Sequence, residues 1–484
     1  MRVSYTLHLV GILTFFLGLT MIFPLLFGLY YQDESVEPLL KSILVTLASG
    51  LAVYFLFKGK GTKDELMTHR EGMGVVAIGW TAAGLFGALP YYWGGVFPDF
   101  SNSFFESVSG FTTTGASVLS QIEGIPRGLL FWRSLTHWLG GMGIIVLSLA
   151  ILPLLGIGGM QLYKAEAPGP VPDKLKPRIK DTAMVLWKVY LLFSAAETLL
   201  LMFGGMDLFE ALCHTFGTMA TGGFSTRNAS IGAYESPYVD TVIMVFMVVA
   251  GINFALHYQF LKGHPLAFWR DPECRFFVGI VAIFCLTVTF NVYERVYETM
   301  AEAFRFGGFQ VMSIITTTGY ATADYEMWPP LSQNILLFCM FLGASAGSTG
   351  GGMKCMRIML LLKHSYKQLF SLIHPHAVTQ VKLGGRPISD EVLHSIWGYF
   401  MLYLGLFILC SFLLAAMGVD VVTSFAAVAA TIGNIGPGLG LVGPTDNYCH
   451  IPVLGKWLLI LCMLLGRLEI YTVIILFVPE FWRK

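Results

Sequence analysis

Charged residues are scarce in this sequence. Only 12% of its 484 residues are Asp, Glu, Lys or Arg, whereas 55% are hydrophobic, and the 30 basic and 30 acidic side chains cancel. A soluble multidomain protein carries more charge than this. The balanced charge also leaves no electrostatic argument for a nucleic-acid partner. The composition therefore predicts a polytopic membrane protein surrounded by lipid.

Motifs for cofactors and covalent chemistry are also missing. The eight cysteines show no CxxC spacing, and several fall inside apolar runs, so they indicate small buried hydrophobes and not a zinc or disulfide framework. Gly347 to Lys354 superficially resembles a phosphate-binding loop, but Met353 precedes the lysine and Cys355 replaces the required hydroxyl residue. We therefore expect no enzyme activity and no bound organic cofactor in this chain.

Long apolar runs fill most of the chain. About 20 apolar residues cross a bilayer core as a helix. Ten runs approach or exceed that length: 7–31, 41–57, 73–93, 129–155, 184–204, 238–261, 276–293, 333–363, 395–417 and 453–479. Shorter, half-apolar segments separate the third run from the fourth, the fifth from the sixth, the seventh from the eighth and the ninth from the tenth. The sequence thus predicts ten spans with four inserted segments.

Basic residues collect after the even-numbered runs. Lysine and arginine in short loops favour the cytoplasmic side. The residues concerned are Lys58, Lys60, Lys63, Arg70, Lys164, Lys174, Lys176, Arg178, Lys180, Lys262, Arg270, Arg275, Lys354, Arg357, Lys363, Lys367, Lys382 and Arg386. With ten spans, both termini are expected to be cytoplasmic.

Each inserted segment ends near a glycine that follows small or hydroxylated residues. The four stretches are Thr112, Thr113, Thr114 and Gly115; Ala220, Thr221, Gly222 and Gly223; Thr316, Thr317, Thr318 and Gly319; and Ala430, Thr431, Ile432, Gly433 and Asn434. Subtracting the numbers of the aligned glycines 115, 223, 319 and 433 gives spacings of 108, 96 and 114 residues. One such stretch indicates an ordinary turn or cap, but four in register with the hydrophobic runs favour a repeat.

The segments before these stretches have the pattern of short helices that enter the membrane. They run from Asp99 to Gly110, Asp207 to Thr218, Glu298 to Ile315 and Asp420 to Ala429, each beginning with an acidic residue. Non-helical backbone at membrane depth needs a water-lined or protein-lined environment. Inward-facing carbonyl groups and helix C-terminal ends favour a cation there. The pattern predicts that the four stretches line a single cation pathway.

The predicted fold class follows from this repeat. It is an all-α polytopic membrane protein in which four units of helix, pore helix, filter loop and helix surround one central pore, after two extra transmembrane helices. The expected boundaries are 1–70 for the two-helix preface and 71–160, 161–265, 266–390 and 391–484 for the four units.

A glycine-rich interruption marks the eighth run. Residues 343–352, hereafter the break segment, include Gly343, Gly347, Gly350, Gly351 and Gly352 and no large side chain. Each interior glycine costs a helix roughly 1 kcal/mol relative to alanine. A small-residue packing face is the alternative, since Gly343 and Gly347 have GxxxG spacing. The three consecutive glycines favour a flexible loop within the membrane.

Several charged residues fall inside apolar runs. Arg467 lies in the last run, where a charge is costly and normally faces a cavity or a partner. Glu469 is only two residues away and points elsewhere on the helix. Glu197 and Lys188 suggest proton coupling, although a structural role is the stronger interpretation. We expect Arg133 and His137 to serve packing or hydrogen bonding.

Five motifs carry a resemblance to a known family. They are Ser109–Gly115, Trp138–Gly143, Gly158–Leu162, Ala346–Gly352 and Gly466–Glu469. With them the chain resembles, over essentially its whole length, the Trk/Ktr/HKT superfamily of potassium transporters, and specifically the Trk-type membrane subunit of bacterial potassium uptake. The family's filter glycines carry over to residues 115, 223, 319 and 433, and none is serine, which favours potassium as the transported ion over sodium. Ala220, Ala430, Ile432 and Asn434 depart from four-fold symmetry, so selectivity is expected to be less strict than in a symmetric channel.

The resemblance also implies a gate, partners and a location. The break segment would obstruct the cytoplasmic half of the pore, and Arg467 would project beside it, so we hypothesise that the two form one barrier. The implied setting is the bacterial inner membrane, as a homodimer regulated by a cytosolic ring that binds NAD-type or ATP-type nucleotides. The predicted function is uptake through a gated, channel-like filter. A proton- or sodium-coupled symporter that works by alternating access is the alternative.

Overall fold

The computed structural model describes residues 2–58, 68–143, 179–377 and 379–482. The predicted all-α class is confirmed, because the described residues form helices joined by short loops, with one two-residue strand pair. The first group of helices is α1 (Val3–Thr20), α2 (Ile22–Tyr31), α3 (Val36–Phe57), α4 (His69–Gly87), α5 (Leu89–Trp93), α6 (Phe100–Phe111) and α7 (Arg127–Trp138), which continues into a π-helical turn at Leu139–Gly143.

The helices from residue 179 onward show the same alternation of long and short elements. They are α8 (Ile179–Phe203), α9 (Leu208–Met219), α10 (Pro237–Gly251), α11 (Phe254–Leu261), α12 (Ala267–Arg270), α13 (Pro272–Val292), α14 (Met300–Ile315), α15 (Pro330–Cys339), α16 (Cys355–Ile373), α17 (Asp390–Ala416), α18 (Val421–Ile432), α19 (Val453–Arg467), α20 (Tyr471–Ile474) and α21 (Pro479–Trp482). The antiparallel strands β1 (Lys382–Leu383) and β2 (Arg386–Pro387) lie between α16 and α17.

Six of the ten predicted spans are single or nearly continuous helices. Within the described residues, helices long and apolar enough to cross a membrane cover Val3–Tyr31, Val36–Phe57, Arg70–Trp93, Thr182–Phe203, Pro272–Val292 and Asp390–Ala416. The sixth and tenth runs form bent pairs: α10 and α11 meet at 103°, and α19 and the residues after Tyr471 meet at 116°. This chain is therefore a multi-pass membrane protein whose sixth and tenth runs bend sharply.

The fourth and eighth runs differ from simple spans. Residues 144–155 of the fourth run lie outside the described residues, as do the predicted boundary at 160/161 and the Gly158–Leu162 motif. The eighth run is not one helix, because α15 ends at Cys339 and α16 begins at Cys355. The basic residues Lys60, Lys63, Lys164, Lys174, Lys176, Arg178, Arg483 and Lys484 also lie outside the described part.

The surface of the long helices is apolar, as lipid contact requires. Leu44, Phe203, Phe290 and Phe412 are each more than 60% exposed. Contiguous exposed apolar surface of this kind is unfavourable in water. Several threonine, serine and charged side chains are buried inside instead. The polar groups thus face the interior of the bundle, where the candidate site lies.

Four short helices point into this interior, and capping side chains fix where each begins. Asp99, Asp207 and Asp420 accept hydrogen bonds from the backbone N–H three residues on, as N-caps of α6, α9 and α18. The predicted start of the third short helix at Glu298 is wrong by one residue. Thr299 is the N-cap of α14, because its hydroxyl accepts from the Glu302 N–H.

Candidate functional site

Four loops that follow the short helices share one backbone geometry. A non-glycine residue adopts the left-handed region in each: Thr113 at φ 51°, Thr221 at 55°, Thr317 at 61° and Asn434 at 54°. Two residues later comes a left-handed glycine in every case, at residues 115, 223, 319 and 436. Non-glycine residues seldom adopt this conformation without surrounding structure to stabilise it. The four loops, 112–115, 220–223, 316–319 and 433–436, are called the ring loops below.

The predicted alignment of the fourth loop is wrong by three residues. Ala430, Thr431 and Ile432 belong to the last turn of α18, and Gly433 is its C-cap at φ −80°, the position that Thr112, Ala220 and Thr316 occupy in the other units. Gly436 takes the place assigned to Gly433, so the spacing from Gly319 is 117 residues. Asn434 remains in the loop, with Ile435 after it. The run of small residues ends at the first glycine after the helix, whereas the left-handed position of the backbone falls on the second.

The left-handed glycines arrange the ring loops in a closed order. A Cβ at Gly115 would overlap the carbonyl oxygen of Gly222 in the second loop, and one at Gly223 would overlap that of Thr318 in the third. A Cβ at Gly319 would overlap the Ile435 carbonyl in the fourth, and one at Gly436 would meet the Thr114 carbonyl in the first. Each glycine therefore packs against the carbonyl before the next glycine, and the order 1, 2, 3, 4, 1 closes.

A small cavity opens at this ring. It has a volume of about 90 Å³, and its lining includes Gly115, Gly223, Gly319 and Gly436 together with residues that follow each loop. A water molecule in bulk takes up about 30 Å³. The cavity, called the mouth cavity below, therefore has room for a few waters or a partly hydrated ion.

The short helices add a negative potential at the ring. The C-terminal ends of α6, α9, α14 and α18 lead directly into the ring loops, so the partial negative charge of four helix ends converges there. At the opposite end of α18, hydrogen bonds from Thr423 hold the pKa of the Asp420 carboxyl below its ordinary value. A negative charge at the N-terminus stabilises the helix dipole. The four converging C-terminal ends make the ring suited to a cation.

Side-chain hydrogen bonds differ among the ring loops, in line with the predicted asymmetry. Hydroxyls two residues apart contact each other in the first and third loops: Thr112 with Thr114 at 2.7 Å and Thr316 with Thr318 at 2.8 Å. Ala220 removes this contact in the second loop. In the fourth, the Asn434 amide donates to the Thr114 hydroxyl and the Met463 carbonyl, both at 3.0 Å. The first and third loops are thus a matched pair.

The break segment lies directly against the ring loops. The Gly351 N–H donates to the Thr317 hydroxyl at 2.7 Å. The Thr349 hydroxyl donates to the Met219 carbonyl at 2.9 Å, at the end of the second short helix. A Cβ at Gly351 would meet the Gly433 carbonyl and the Asn434 side chain at 2.7 Å. Because no side chain fits there, glycine allows the segment to contact three of the four units.

Arg467 joins the break segment to the first unit. Its guanidinium donates to the Thr349 carbonyl at 2.7 Å, the Gly140 carbonyl at 2.6 Å and the Gly141 carbonyl at 2.8 Å. Gly140 is in turn packed so tightly under the Phe111 carbonyl that a Cβ would overlap it. Arg467 and the break segment therefore form a continuous layer adjoining the ring.

Glu273 contacts both the break segment and the residues that follow it. This residue of α13 is 3% exposed, and its Oε1 accepts hydrogen bonds from the Ala346 N–H at 2.7 Å and the Met356 N–H at 3.0 Å. The Lys354 ammonium also donates to the Gly350 carbonyl. One carboxylate oxygen thus ties the segment to the start of α16.

Of the other charged or titratable residues discussed above, Arg133 and His137 lie beside the ring loops, whereas Glu197 and Lys188 do not line the mouth cavity. Glu469 does not pair with Arg467 but forms an ion pair with Arg357 at 2.5 Å. Glu197 is buried in α8 beside Thr218, and Lys188 is exposed on the same helix. His137 is buried and stacks on Phe224 at 4.0 Å between ring centroids. Arg133 pairs with Glu106 at 2.7 Å behind the first ring loop.

Sequence reasoning did not find several of these residues. Gly436 and Ile435 were missed because the fourth stretch was aligned on Gly433. The glycine directly before Pro437 could have indicated the turn. Glu273 and Glu106 carry no motif, because each acts on backbone or side-chain groups from distant parts of the chain. Their roles depend on tertiary contacts that spacing alone cannot reveal.

Comparison with known proteins agrees with this architecture. A family model described as a cation transport protein, TrkH, matches residues 38–484. The chain belongs to the TrkH family. A TrkH-family relative, the Trk system potassium uptake protein TrkH of Escherichia coli K12, is 44% identical over 99% of this chain and 99% of its own. The E. coli K12 Trk system potassium uptake protein TrkG is 36% identical, over 100% of this chain and 99% of its own.

A solved TrkH-family structure has the same fold along the whole chain. The crystal structure of the potassium transporter TrkH from Vibrio parahaemolyticus superposes with a TM-score of 0.89 at 38% identity, covering 100% of both chains. The family resemblance predicted from the motifs is thereby confirmed. TrkH-family proteins are cation transport proteins and not enzymes.

Proposed function

We propose that this chain takes up potassium through a pathway along the axis of the four ring loops. The observation that carries the proposal is the closed order of left-handed glycines around the mouth cavity, each packed against the next loop's carbonyl. Inward-facing carbonyls can replace the hydration shell of a potassium-sized ion. Four converging helix ends add to this attraction. The potassium uptake named for the relatives supports the choice of ion.

The ring loops act as the selectivity filter in this proposal. Residues 112–115, 220–223, 316–319 and 433–436 supply the oxygens, from carbonyl groups and from the hydroxyls of the threonines among them. The first and third loops match each other, while the second and fourth each differ from them, so the filter lacks four-fold regularity. We therefore expect clear potassium preference with measurable rubidium passage and weak sodium passage.

The break segment and Arg467 act as the gate. The segment contacts Thr317 of the third ring loop and does not line the mouth cavity, and the guanidinium places a fixed positive charge against the same segment. A cation leaving the filter would meet both obstacles. The gate opens when the segment moves away from Thr317 and Arg467 releases the Thr349 carbonyl.

The proposal extends to partners and location. The relatives are named as proteins of a Trk system, which points to more than one component. In this proposal, two copies of the chain form a homodimer in the bacterial inner membrane, with both termini cytoplasmic. The second component is a cytosolic ring that binds NAD-type or ATP-type nucleotides. Nucleotide binding would drive the gate from outside this chain. Lipid surrounds the exposed apolar helices.

Cation-dependent flux tests this function. The purified chain in liposomes should take up potassium and rubidium faster than sodium, and adding the cytosolic ring with nucleotide should change the rate. Empty liposomes and the Gly223→Ala variant provide the background. Equal uptake of potassium and sodium by the intact chain would contradict a potassium filter.

A coupled symporter is the second candidate, and the buried carboxyl of Glu197 is the observation that favours it. A carboxyl in apolar surroundings can carry a proton, but Glu197 lies behind the second ring loop and not in the mouth cavity. Under the pore proposal, the Glu197→Gln variant keeps potassium uptake, and the purified chain gives unitary currents in a planar bilayer. Slow flux strictly coupled to protons, without unitary current, would favour the symporter.

Glu273 gives a separate prediction about the gate. The Glu273→Ala variant loses the hydrogen bond from Ala346 of the break segment and the one from Met356 just beyond it. A hydrogen bond to a charged group contributes about 1.5 kcal/mol, so loss of the Ala346 contact alone should raise potassium flux through the isolated chain roughly tenfold. The Glu273→Gln variant retains an acceptor oxygen, so its potassium flux should lie between that of Glu273→Ala and that of the wild type. Liposome flux is the measurement. Unchanged flux in a Glu273→Ala protein with normal elution on gel filtration would contradict this role.

A further inference from the structure

The ring loops are not cross-linked to one another, and at each left-handed glycine the nearest atom of the neighbouring loop is a carbonyl oxygen. Oxygen dipoles that point at a common centre repel each other. A ring of this kind keeps one diameter only if something behind the loops holds neighbouring units together. Contacts across the four junctions between neighbouring units could provide this support.

A hydrogen bond from a buried residue crosses every junction. Arg133 of the first unit donates through Nη1 to the Ser225 carbonyl of the second at 2.9 Å. The Tyr320 hydroxyl of the third unit donates to the His214 carbonyl of the second at 3.0 Å. The Tyr325 hydroxyl of the third donates to the Gly438 carbonyl of the fourth at 2.7 Å.

Tyr448 closes the circle between the fourth unit and the first. Its backbone N–H donates to the Ser117 carbonyl at 2.8 Å, and its hydroxyl donates to the Gly436 carbonyl at 2.6 Å. Arg133, Tyr320, Tyr325 and Tyr448 are at most 3% exposed. These four residues are called the belt below.

Three of the four belt residues contact backbone close to a ring-loop glycine, and Tyr320, which directly follows Gly319, contacts the short helix before the second loop. Ser225 and Gly438 each come two residues after the left-handed glycine of their loop, and Gly436 is itself such a glycine. The first junction is reinforced, because Glu106 accepts from Arg133 Nε at 2.7 Å and from the Ser117 hydroxyl at 2.9 Å. A shift of one belt residue would therefore move the carbonyls of a ring loop.

We infer that the belt sets the diameter of the ring and thereby determines which cation passes. This inference rests on the proposed potassium filter. Potassium and sodium carry the same charge and differ in size, so a ring that contracts or becomes compliant loses its preference for the larger ion. The belt residues do not contact the ion; they act as positioning residues through the backbone.

The test compares Tyr→Phe variants, which remove one hydroxyl with little change in volume. Tyr325→Phe loses its hydrogen bond to the Gly438 carbonyl, and we expect the ratio of potassium to sodium uptake in liposomes to fall about two- to tenfold, the range for one net hydrogen bond. Potassium uptake itself should persist. Tyr448→Phe keeps its backbone bond to Ser117 and should show a smaller fall.

Tyr403→Phe is the matched control. Tyr403 is also buried, on α17, but its hydroxyl has no hydrogen-bond partner among the described residues. Its loss should leave the ratio at the wild-type value. If Tyr325→Phe does not fold, as judged by gel filtration, Tyr448→Phe carries the test.

The outcomes distinguish a failure of the proposed filter from a failure of the proposed belt. A wild-type chain without potassium preference overturns the proposed filter. A selective wild type whose ratio is unchanged in both Tyr325→Phe and Tyr448→Phe overturns the belt and leaves the filter intact. A fall of the same size in Tyr403→Phe would also overturn it, because the effect would then follow from any buried tyrosine.

Discussion

Replacing Arg467 by alanine should raise potassium flux through the isolated chain about thirtyfold. The guanidinium donates to three backbone carbonyls, of Thr349, Gly140 and Gly141, and these contacts hold the break segment against the first unit. Of these three contacts, the one to Thr349 is with the break segment itself. A hydrogen bond to a charged group contributes roughly 1.5–3 kcal/mol, and a loss of about 2 kcal/mol shifts an open–closed equilibrium by about thirtyfold. The substitution also removes a fixed positive charge from the ion's path. Flux of rubidium into liposomes is the measurement.

Arg467→Lys separates the charge from the hydrogen bonds. Lysine keeps the positive charge but presents a single ammonium in place of the planar fork that reaches three carbonyls. If the contacts dominate, its flux should lie near that of Arg467→Ala, and if the charge dominates, near the wild type. Wild-type flux in a folded Arg467→Ala protein would show that the barrier does not involve this residue.

Replacing Gly223 by alanine should abolish potassium uptake. The backbone at Gly223 has φ 77°, and a Cβ there would overlap the Thr318 carbonyl of the third ring loop. Two effects therefore combine: the left-handed conformation costs a residue with a Cβ about 1–2 kcal/mol, and the neighbouring carbonyl must move. Because that carbonyl faces the proposed pathway, its displacement destroys the ring. Potassium uptake in a transport-deficient bacterial strain and in liposomes are suitable assays.

Gly95→Ala provides the control for backbone strain alone. Gly95 also has a left-handed backbone, at φ 63°, but a Cβ there meets nothing within 4 Å. The variant should lose about 1 kcal/mol of stability and keep its transport. Equal loss of uptake in both variants would mean that strain, and not the ring geometry, causes the defect.

Local sequence patterns were sufficient for the long helices and for three of the four ring loops. Apolar runs of about 20 residues have few alternatives in a chain with so little charge. In the first three ring loops the left-handed glycine ends a run of small or hydroxylated residues, so the alignment of Gly115, Gly223 and Gly319 matches the backbone. The acidic N-caps Asp99, Asp207 and Asp420 follow from capping chemistry that acts within one helical turn.

The fourth loop shows where pattern matching fails. The run Ala430, Thr431, Ile432, Gly433 imitates the other three stretches, but α18 has 12 residues between its aspartate N-cap and its C-cap, as α6 and α9 do, so this run still belongs to the helix and its C-cap. The left-handed position then falls on Asn434, one of the few residue types besides glycine that tolerates it. The glycine that matters comes two residues later, at 436.

Contacts between residues far apart in the sequence could not be predicted, for a different reason. Glu273 acts on Ala346 and Met356, and Tyr325 acts on Gly438, across separations of 73 to 113 residues. No local spacing encodes these pairs. Arg133 was expected to serve packing or hydrogen bonding, yet only the fold shows that its hydrogen bond reaches another unit. The interruption at residues 343–352 was predicted from its glycines, while its contact with Thr317 was not.

Ion position is the most direct test of the central claim, that the four ring loops surround one potassium pathway. Crystals of the protein grown with rubidium in place of potassium should give an anomalous density peak on the axis between Gly115, Gly223, Gly319 and Gly436. The mouth cavity opens onto this ring, so the ion can reach it whether or not the gate is closed. A rubidium peak elsewhere in a transport-competent protein, with none within the ring, would contradict the account.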